Sequence, residues 1–296
     1  MSETTVSLRR KIRGASELQA VVRTMKAVAA SSIGQYENSV RALADYYRSV
    51  ELGLGACFRE NGAPSLFAEP QRTGVAGTIG AVVFGSDQGL VGQFNELVTD
   101  FAIETLAALT PPKIEVWAVG ERVQARLADA GLPLAGIFAV PNSVKAITPL
   151  VGQLLLESET RHHTGGISEL RLFYNRPTSG AIYTPVSQRL LPLDEAWCAS
   201  VTERPWPPGS LPEVLGSHAA TLQALIREYL FGSLFRACAE SLASENASRL
   251  AAMQRAEKNI GELLEVLTQD FHRLRQSGID AELFDVISGF ETLGRE

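Results

Sequence analysis

Apolar side chains recur at steps of three and four residues over both ends of the chain, which is the repeat of a coiled-coil seam. Proline, which interrupts helices, is absent before Pro64 and after Pro212. The pattern therefore predicts a long helix over residues 1–62 and a second over residues 211–296, packed as an antiparallel coiled coil. The seam residues predicted from this repeat include Leu18, Val22, Met25, Ala29, Ile33, Ile260, Leu263, Leu267, Phe271 and Leu274.

The middle of the chain has a different pattern, in which short β-rich runs alternate with helical stretches. This alternation predicts a parallel, three-layer α/β domain of Rossmann-like type over residues 72–193. A last strand, residues 181–191, is expected to be antiparallel, and the Pro- and Trp-rich residues 194–210 are expected to return to the second long helix as an extended segment. The other predicted strands are 78–84, 113–119, 134–140 and 169–174, and the predicted helices are 92–109, 120–130 and 143–162.

A glycine-rich segment, FGSDQGLVGQFNE at residues 84–96, follows the first predicted strand and raises the question of phosphate binding. A dinucleotide fingerprint needs G-x-G-x-x-G and an acidic residue about 20 positions further on, and a P-loop needs Lys and Ser/Thr after its last glycine. Gly85, Gly89 and Gly92 meet neither requirement. We expect a tight turn between strand and helix, with Asp87 or Ser86 as the helix cap.

The histidines do not have the spacing of a catalytic or metal site. His162 and His163 are adjacent, so on a helix their side chains would point about 100° apart. His218 and His272 stand outside any H-E-x-x-H pattern. No G-x-S-x-G segment occurs either. The sequence therefore predicts no catalytic residue, no cofactor and no metal.

Composition and charge narrow the class of protein further. The 296 residues carry a net charge of −6 at pH 7, which disfavours a general binder of nucleic acid or anionic membranes. Cys57, Cys198 and Cys238 are far apart, so we expect buried, unreactive thiols in a reducing compartment. No apolar stretch approaches the ~20 residues of a membrane span. Five apolar residues near the end of the second helix are expected to need a protein partner that covers them: Leu283, Phe284, Val286, Ile287 and Phe290.

Three segments resemble the gamma subunits of F-type rotary ATP synthases. The first is similar to the N-terminal signature of that family and runs LRRKIRGASELQAVVRTMKAVAASSI, residues 8–33. The second resembles the family's SDRGLCGGFN and runs GSDQGLVGQFN, residues 85–95. The third is similar to the C-terminal signature and begins SLASENASRLAAMQRAEKNI within residues 241–289. These segments occur in the family's order and cover both ends of the chain and the start of the middle domain.

The resemblance implies a non-catalytic central stalk subunit, that is, a rotor. Such a subunit transmits torque between the membrane c-ring and the catalytic alpha/beta hexamer. It thereby couples ion translocation to ATP synthesis or hydrolysis, while the nucleotide sites lie on beta. The implied partners are the alpha, beta and epsilon subunits and the c-ring. The implied location is peripheral, at the cytoplasmic face of the inner membrane of a bacterium or archaeon.

The resemblance also implies partner contacts for individual residues. Arg275 and Gln276 match the family's catch, which hydrogen-bonds to beta. Met25 and Lys26 match the stretch that faces the beta levers, and Glu203 lies near the segment that approaches the c-ring.

The glycine loop departs from the family pattern at Gln88, Val91 and Gln93. Departures of this kind suggest the divergent gamma subunit of an alternate, N-type ATPase. Two other classes stay open from the sequence: an α/β ligand-binding or enzymatic domain with a coiled-coil insertion, and a structural coiled-coil adaptor. A ligand-dependent shift in the melting temperature of the middle domain would support the first class. Self-association through the heptads would support the second.

Overall fold

The structure, a computed structural model, describes residues 4–61, 77–109, 113–163, 166–180, 182–209, 211–214 and 216–293. The predicted boundaries at residues 62 and 72 and the predicted strand start at 181 lie outside these residues. The elements in chain order are α1 (Thr5–Asn61), β1 (Thr78–Phe84), α2 (Phe94–Ala108), β2 (Lys113–Val119), α3 (Glu121–Asp129), β3 (Leu134–Phe138), α4 (Val144–His163), β4 (Glu169–Arg176), β5 (Thr184–Leu191), α5 (Glu195–Glu203) and α6 (His218–Leu293).

The chain divides into two compact units. Residues 1–29 and 250–296 form the first, which we call the helical unit, and residues 30–249 form the second, the body unit. Each long helix contributes one part to each unit, because α1 continues through residue 29 and α6 through residue 250. Among the described helices, none is both long and apolar enough to cross a membrane.

The body unit contains one five-stranded sheet with the order β3-β2-β1-β4-β5. The strand β1 is parallel to both of its neighbours, β2 and β4, and β3 is parallel to β2. The last strand, β5, is antiparallel to β4. The prediction of an α/β domain with parallel strands and an antiparallel fifth strand is therefore confirmed.

Helices cover both faces of this sheet, so the domain has three layers. Successive side chains of a strand point to opposite faces, and β1 follows this rule. Ile79, Ala81 and Val83 pack in a core with residues of α2 and α3. Val82 and Phe84 pack in the other core, which contains residues of α4 and α5 and the body-unit parts of α1 and α6. The body-unit parts of the two long helices thus form part of the outer layer on one face.

The segment that was expected to be an extended return contains a helix. In α5, the carboxylate of Asp194 accepts a hydrogen bond from the backbone N–H of Trp197 at 3.2 Å, which is the usual geometry of an N-terminal cap. The extended conformation predicted for residues 194–210 is wrong over this stretch. The prolines Pro205 and Pro207 follow the end of α5, so they do not prevent the helix.

In the helical unit, α1 and α6 pack antiparallel along a regular seam. The guanidinium carbon of Arg9 lies 5.4 Å from the ring centroid of Phe271, whereas Lys26 contacts Glu257. Residue numbers therefore fall along α6 as they rise along α1. The seam positions, all buried or partly buried and separated by alternating steps of three and four, are Leu8, Ile12, Ala15, Gln19, Val22, Lys26 and Ala29 on α1, and Leu250, Met253, Glu257, Ile260, Leu264, Leu267, Phe271 and Leu274 on α6.

Three of the predicted seam residues lie outside this seam, and one of them is Met25, which is partly buried beside the seam position Lys26. Leu18 is 61% exposed and Leu263 is 48% exposed, so these two assignments are corrected as well. The apolar repeat allows either order of three- and four-residue steps. On α1 the seam residue next to Leu18 is a partly buried polar residue, Gln19, and on α6 the seam residue next to Leu263 is a second, partly buried leucine, Leu264. Val22 and Leu267 are partly buried in the helical unit, and Ile33 is partly buried in the body unit.

Candidate functional site

The glycine loop connects β1 to α2 at the carboxyl end of the strand, where two glycines allow close packing. A Cβ atom added to Gly85 would lie 1.9 Å from Cγ2 of Val123. Gly120, at the end of the neighbouring strand, has a φ angle of +110°, and a Cβ atom there would lie 2.9 Å from the backbone of Ser86. The backbone N–H of Gly85 donates to the carbonyl of Val119 at 2.8 Å. The absence of side chains at Gly85 and Gly120 therefore lets the ends of β1 and β2 approach closely, and the hydrogen bond from Gly85 joins them.

Asp87 uses both of its carboxylate oxygens to bind backbone groups. One oxygen accepts from the N–H of Glu121 at 3.1 Å, and the other accepts from the N–H of Val140 at 3.0 Å. Asp87 thus caps α3 and holds the chain that follows β3. The prediction that Asp87 or Ser86 caps the helix after the loop is wrong, because α2 begins after Gln93 without a side-chain cap. The arrangement gives Asp87 a positioning role.

Ser86 belongs to a small buried network inside the same loop. Its hydroxyl donates to the carbonyl of Gln88 at 2.8 Å and accepts from the side-chain amide of Asn95. The amide oxygen of Asn95 accepts from the backbone N–H of Ser86 at 2.9 Å. The loop conformation is therefore fixed by the protein's own groups.

A second network fastens α6 to this loop and to β4. The hydroxyl of Ser248 donates to the carbonyl of Val91, and the hydroxyl of Ser244 donates to the carbonyl of Asn175 at 3.0 Å. The side-chain amide of Asn175 donates to the carbonyl of Phe94 at 2.9 Å. Both serines and Asn175 are buried, where unpaired polar groups would be costly. We call these five residues the anchor of α6.

A buried ion pair lies on α6 beside the anchor. Arg249 Nη2 is 2.6 Å from Glu245 Oε1. Burial raises the pKa of Glu245, Arg249 opposes that shift, and the charge of Asp87 adds to it. Burial also raises the pKa of Tyr36, and the nearby Glu245 charge contributes. Arg249 is therefore the main group that favours the charged form of Glu245 against the effect of burial.

In the helical unit, one carboxylate joins two cations across the helix pair. Glu257 receives Lys26 Nζ at 2.5 Å and Arg23 Nε at 2.8 Å. The hydrogen bond from Lys26, followed by the one from Arg23, lowers the pKa of Glu257. Lys26, which the resemblance assigns to the contact with the beta levers, thus forms an ion pair with Glu257 of α6. Met25 beside it is partly buried.

The other residues implied by the resemblance are exposed and belong to different units. Arg275 and Gln276 are exposed on α6 in the helical unit, and the side chain of neither makes a hydrogen bond or ion pair with another residue that the structure describes. Glu203 is the exposed last residue of α5 in the body unit. Arg59 Nη1 fixes that helix end by donating to the carbonyls of Thr202 at 2.8 Å and of residue 204 at 3.0 Å.

The apolar residues at the end of α6 are exposed as expected. Leu283 is 56% exposed, Phe284 68%, Val286 55% and Ile287 46%. The side chain of Phe290 lies outside the described part of the chain. These residues follow the last seam residue, Leu274. No described residue of α1 lies opposite them within the regular repeat.

Among the side chains that the structure describes, the cysteines and histidines form no common site. Cys57, Cys198 and Cys238 are all buried, as predicted, and burial raises the pKa of each thiol. His218 faces Glu60, and His272 is exposed beside the ring of Phe271. The side chains of residues 162 and 163 lie outside what the structure describes.

The fold is similar to that of chains in solved structures of mitochondrial ATP synthases. The chain superposes on a chain of the Euglena gracilis mitochondrial ATP synthase rotor with a TM-score of 0.59 and 18% identity, over 93% of this chain and 98% of that chain. A chain of the Tetrahymena thermophila mitochondrial ATP synthase central stalk and c-ring gives a TM-score of 0.56 and 22% identity, over 80% and 99%. The fold is therefore that of an ATP synthase central-stalk subunit.

Sequence comparison then fixes the family. The family model described as ATP synthase matches residues 4–293, so this chain belongs to the ATP synthase family. ATP synthase gamma chains of Parafrankia sp. (strain EAN1pec) and Caulobacter vibrioides (strain NA1000 / CB15N) are each 28% identical to it, over 96% of both chains in the first case and over 97% of this chain and 98% of the relative in the second. The expectation of a non-catalytic, gamma-type subunit is confirmed.

Proposed function

We propose that this chain is the rotor of an F-type ATP synthase and turns inside a hexamer of alternating alpha and beta subunits. The observation that carries the proposal is the match to ATP synthase gamma chains along nearly the whole length of the chain. In this role the chain carries torque between the hexamer and the c-ring, with epsilon bound to it, and the nucleotide chemistry takes place on beta. It would thus couple ion translocation to ATP synthesis or hydrolysis.

The two units suit two mechanical tasks. A rotating shaft has to resist bending and twisting, and the seam of the helical unit, together with the contact of Glu257 with Lys26 and Arg23, joins its two helices. Torque in α6 also has to reach the α/β body. The anchor supports that transfer within the body unit, because its hydrogen bonds join Ser244 and Ser248 of α6 to the loop and to β4.

We assign the partner contacts as follows. Arg275 and Gln276 form the catch to beta, and their exposure without internal partners supports this assignment. Met25 and Lys26 face the beta levers, with Lys26 shared between beta and Glu257. Glu203 faces the c-ring. The hydrogen bonds from Arg59 hold the end of α5, which carries Glu203, in place. The alpha/beta hexamer covers the exposed apolar residues at the end of α6.

The proposed location is the cytoplasmic face of the plasma membrane, as a peripheral subunit of a membrane-bound complex. Bacterial relatives, such as the gamma chains of Caulobacter vibrioides and Moorella thermoacetica, support a prokaryotic origin. The substitutions in the glycine loop support assignment to an alternate, N-type enzyme.

Co-expression tests the rotor proposal directly. The full chain is produced with candidate alpha and beta subunits, and the native mass and ATPase activity of the product are measured with and without it. We expect one copy for three alpha and three beta subunits, and hydrolysis that depends on this chain. The chain could instead purify alone. A ligand-binding monomer would then indicate an α/β ligand-binding or enzymatic protein, and a self-associated oligomer would indicate a structural coiled-coil adaptor.

The catch assignment has its own test in that complex. We expect Arg275→Ala combined with Gln276→Ala to lower ATPase turnover by about tenfold, equivalent to ~1.4 kcal/mol, because hydrogen bonds to charged groups contribute ~1.5–3 kcal/mol. The matched control changes Arg122→Ala and Gln124→Ala on α3 in the body unit. Equal turnover in the two double variants, with intact assembly, would remove the assignment.

A further inference from the structure

The body unit contains a groove whose lining no part of the rotor mechanism uses. It lies between α1, the end of α5 and α6, and its volume of about 330 Å³ falls within the range of small-molecule sites. Its floor is apolar and comes from one face of α1. The floor residues are Val40, Leu43, Ala44 and Tyr47, and the charged residues around them are Arg41, Arg48, Glu51, Arg204 and Arg236.

Two of the four guanidinium groups already have carboxylate partners. Arg204 pairs with Glu51, which is only 7% exposed. Arg236 Nε lies 2.7 Å from Glu240 Oε1 on the next turn of α6. These pairs fix two sides of the groove and leave little positive charge there for a ligand.

The other two guanidinium groups, those of Arg41 and Arg48, have no carboxylate partner in the described part of the chain. Arg41 donates to the side-chain amide oxygen of Asn38 at 2.8 Å, which is a neutral acceptor. Among the described residues, no carboxylate makes an ion pair with Arg41 or Arg48. These two arginines are seven residues apart on α1, so they lie on one face about 10 Å apart along the helix axis. Two long arginine side chains at that distance can converge on one anion.

The floor of the groove is held rigidly by aromatic contacts. The hydroxyl groups of Tyr47 and Ser233 lie 3.1 Å apart. The ring centroid of Tyr47 is 5.5 Å from that of Tyr229, which is in turn 4.3 Å from the centroid of Trp197. A site formed before the ligand arrives loses less free energy to ordering when it binds.

We propose that this groove binds a small organic anion, whose phosphate or carboxylate group is held by Arg41 and Arg48 and whose apolar part lies on Val40, Leu43 and Tyr47. Arginine suits this task because its planar, forked donors match both oxyanions in a bidentate manner. The apolar floor favours an organic anion over an inorganic ion, since only the organic anion covers apolar surface.

Calorimetric titration of the full chain tests this site with simple probes. The probes are phenyl phosphate, benzoate, inorganic phosphate and phenol. We expect phenyl phosphate or benzoate to bind at least about tenfold more tightly than inorganic phosphate and phenol, because only these two probes satisfy both parts of the groove. The stronger of the two identifies the oxyanion that the site prefers.

Variants of the exposed arginines complete the test. Arg48→Ala is expected to weaken binding of the preferred probe by about tenfold or more, and Arg48→Lys by less, because lysine keeps the charge and loses the fork. Arg122→Ala, on α3, is the matched control and should bind as the unaltered chain does. Melting curves confirm that each variant is folded.

Three results would overturn the proposal. The first is the absence of heat from phenyl phosphate and benzoate at millimolar concentration. The second is equal affinity of the Arg48→Ala and Arg122→Ala variants. The third is a preference for an acidic peptide, with a leucine beside its glutamates, that binds through Arg48 while the small probes do not. That outcome would make the groove a docking site for a protein segment.

Discussion

Removal of the Asp87 carboxylate is the sharpest test of how the α/β body is held together. Both oxygens of Asp87 bind backbone N–H groups, one at the start of α3 and one after β3. In the Asp87→Ala variant, the N–H groups of Glu121 and Val140 lose these acceptors.

The expected magnitude follows from the exposure of the two donors. The bond to Glu121 is exposed, so water can replace the carboxylate, and its loss should cost ~0.5–1 kcal/mol, at the low end for a helix cap. The bond to Val140 is partly buried, and a buried donor without a partner costs ~1–3 kcal/mol. We therefore expect Asp87→Ala to lower the free energy of unfolding by ~2 kcal/mol.

Hydrogen exchange in the full chain gives a local readout of this loss. A change of ~2 kcal/mol corresponds to about thirtyfold faster exchange wherever local opening controls the rate. We expect that acceleration in peptides covering residues 119–126 and 138–143, measured by mass spectrometry. Asp87→Asn, which keeps one acceptor oxygen, should give a smaller acceleration.

Asp129→Ala is the matched control, because Asp129 is an exposed residue at the other end of α3. If Asp87→Ala and Asp129→Ala gave equal exchange in both peptides, the two backbone hydrogen bonds of Asp87 would have no measurable role. If both variants unfolded at the same urea concentration as the unaltered chain, the stability argument would be refuted as well.

Two further predictions concern the long helices. Leu264→Ala should destabilise the helical unit by ~1–2 kcal/mol and Leu263→Ala by less than ~0.5 kcal/mol, because only Leu264 lies in the seam; equal urea midpoints would contradict the corrected seam. Burial raises the pKa of Glu245 above its ordinary value of 4.5, so this group binds more protons in the folded state and its contribution to stability falls as pH rises above 4.5. Glu245→Gln should flatten the decline in melting temperature from pH 4.5 to pH 7, and an unchanged slope would show that Glu245 does not cause it.

The α/β core could be predicted from the sequence because its signal is local. Runs such as Thr78–Phe84 and Lys113–Val119 are rich in β-branched residues and stand between helical stretches. Alternation of strand and helix leaves few topologies for the sheet. The helix α5 is missed because its signal is one capping residue, Asp194, in a segment whose prolines, all of them after the helix, favour an extended chain.

The coiled coil was predictable as a whole and ambiguous at single positions. A repeat of three and four residues identifies a seam, and its exact register depends on which of two adjacent residues turns inward. Gln19 and Lys26 are polar residues of the observed seam. A prediction based on apolar residues alone omits Gln19 and Lys26 and assigns Leu18 to the seam. The contact of Lys26 with Glu257 explains how a charged residue is kept there.

The anchor and the arginine groove depend on contacts between distant parts of the chain. Ser248 and Val91 are 157 residues apart, and Arg204 and Glu51 are 153 residues apart. No local spacing indicates such pairs. The sequence does indicate the anchor through its composition. The side chains of SLASENAS, residues 241–248, are unusually small and polar for a part of a helix that is buried on most sides.

The loop that resembles a nucleotide-binding turn lies against the anchor of α6. In open α/β sheets, ligands bind beyond the carboxyl ends of the strands, where adjacent connections run to opposite faces. The loop after β1 lies at such a place, because β1 has the parallel strands β2 and β4 as its two neighbours. Here the hydroxyl of Ser248 binds a loop carbonyl, and Asp87 binds the backbone beyond the two strands on the other side. The edge that holds a ligand in enzymes of this fold therefore holds the protein's own long helix. This attachment is what a subunit that passes torque from a helix to a sheet requires.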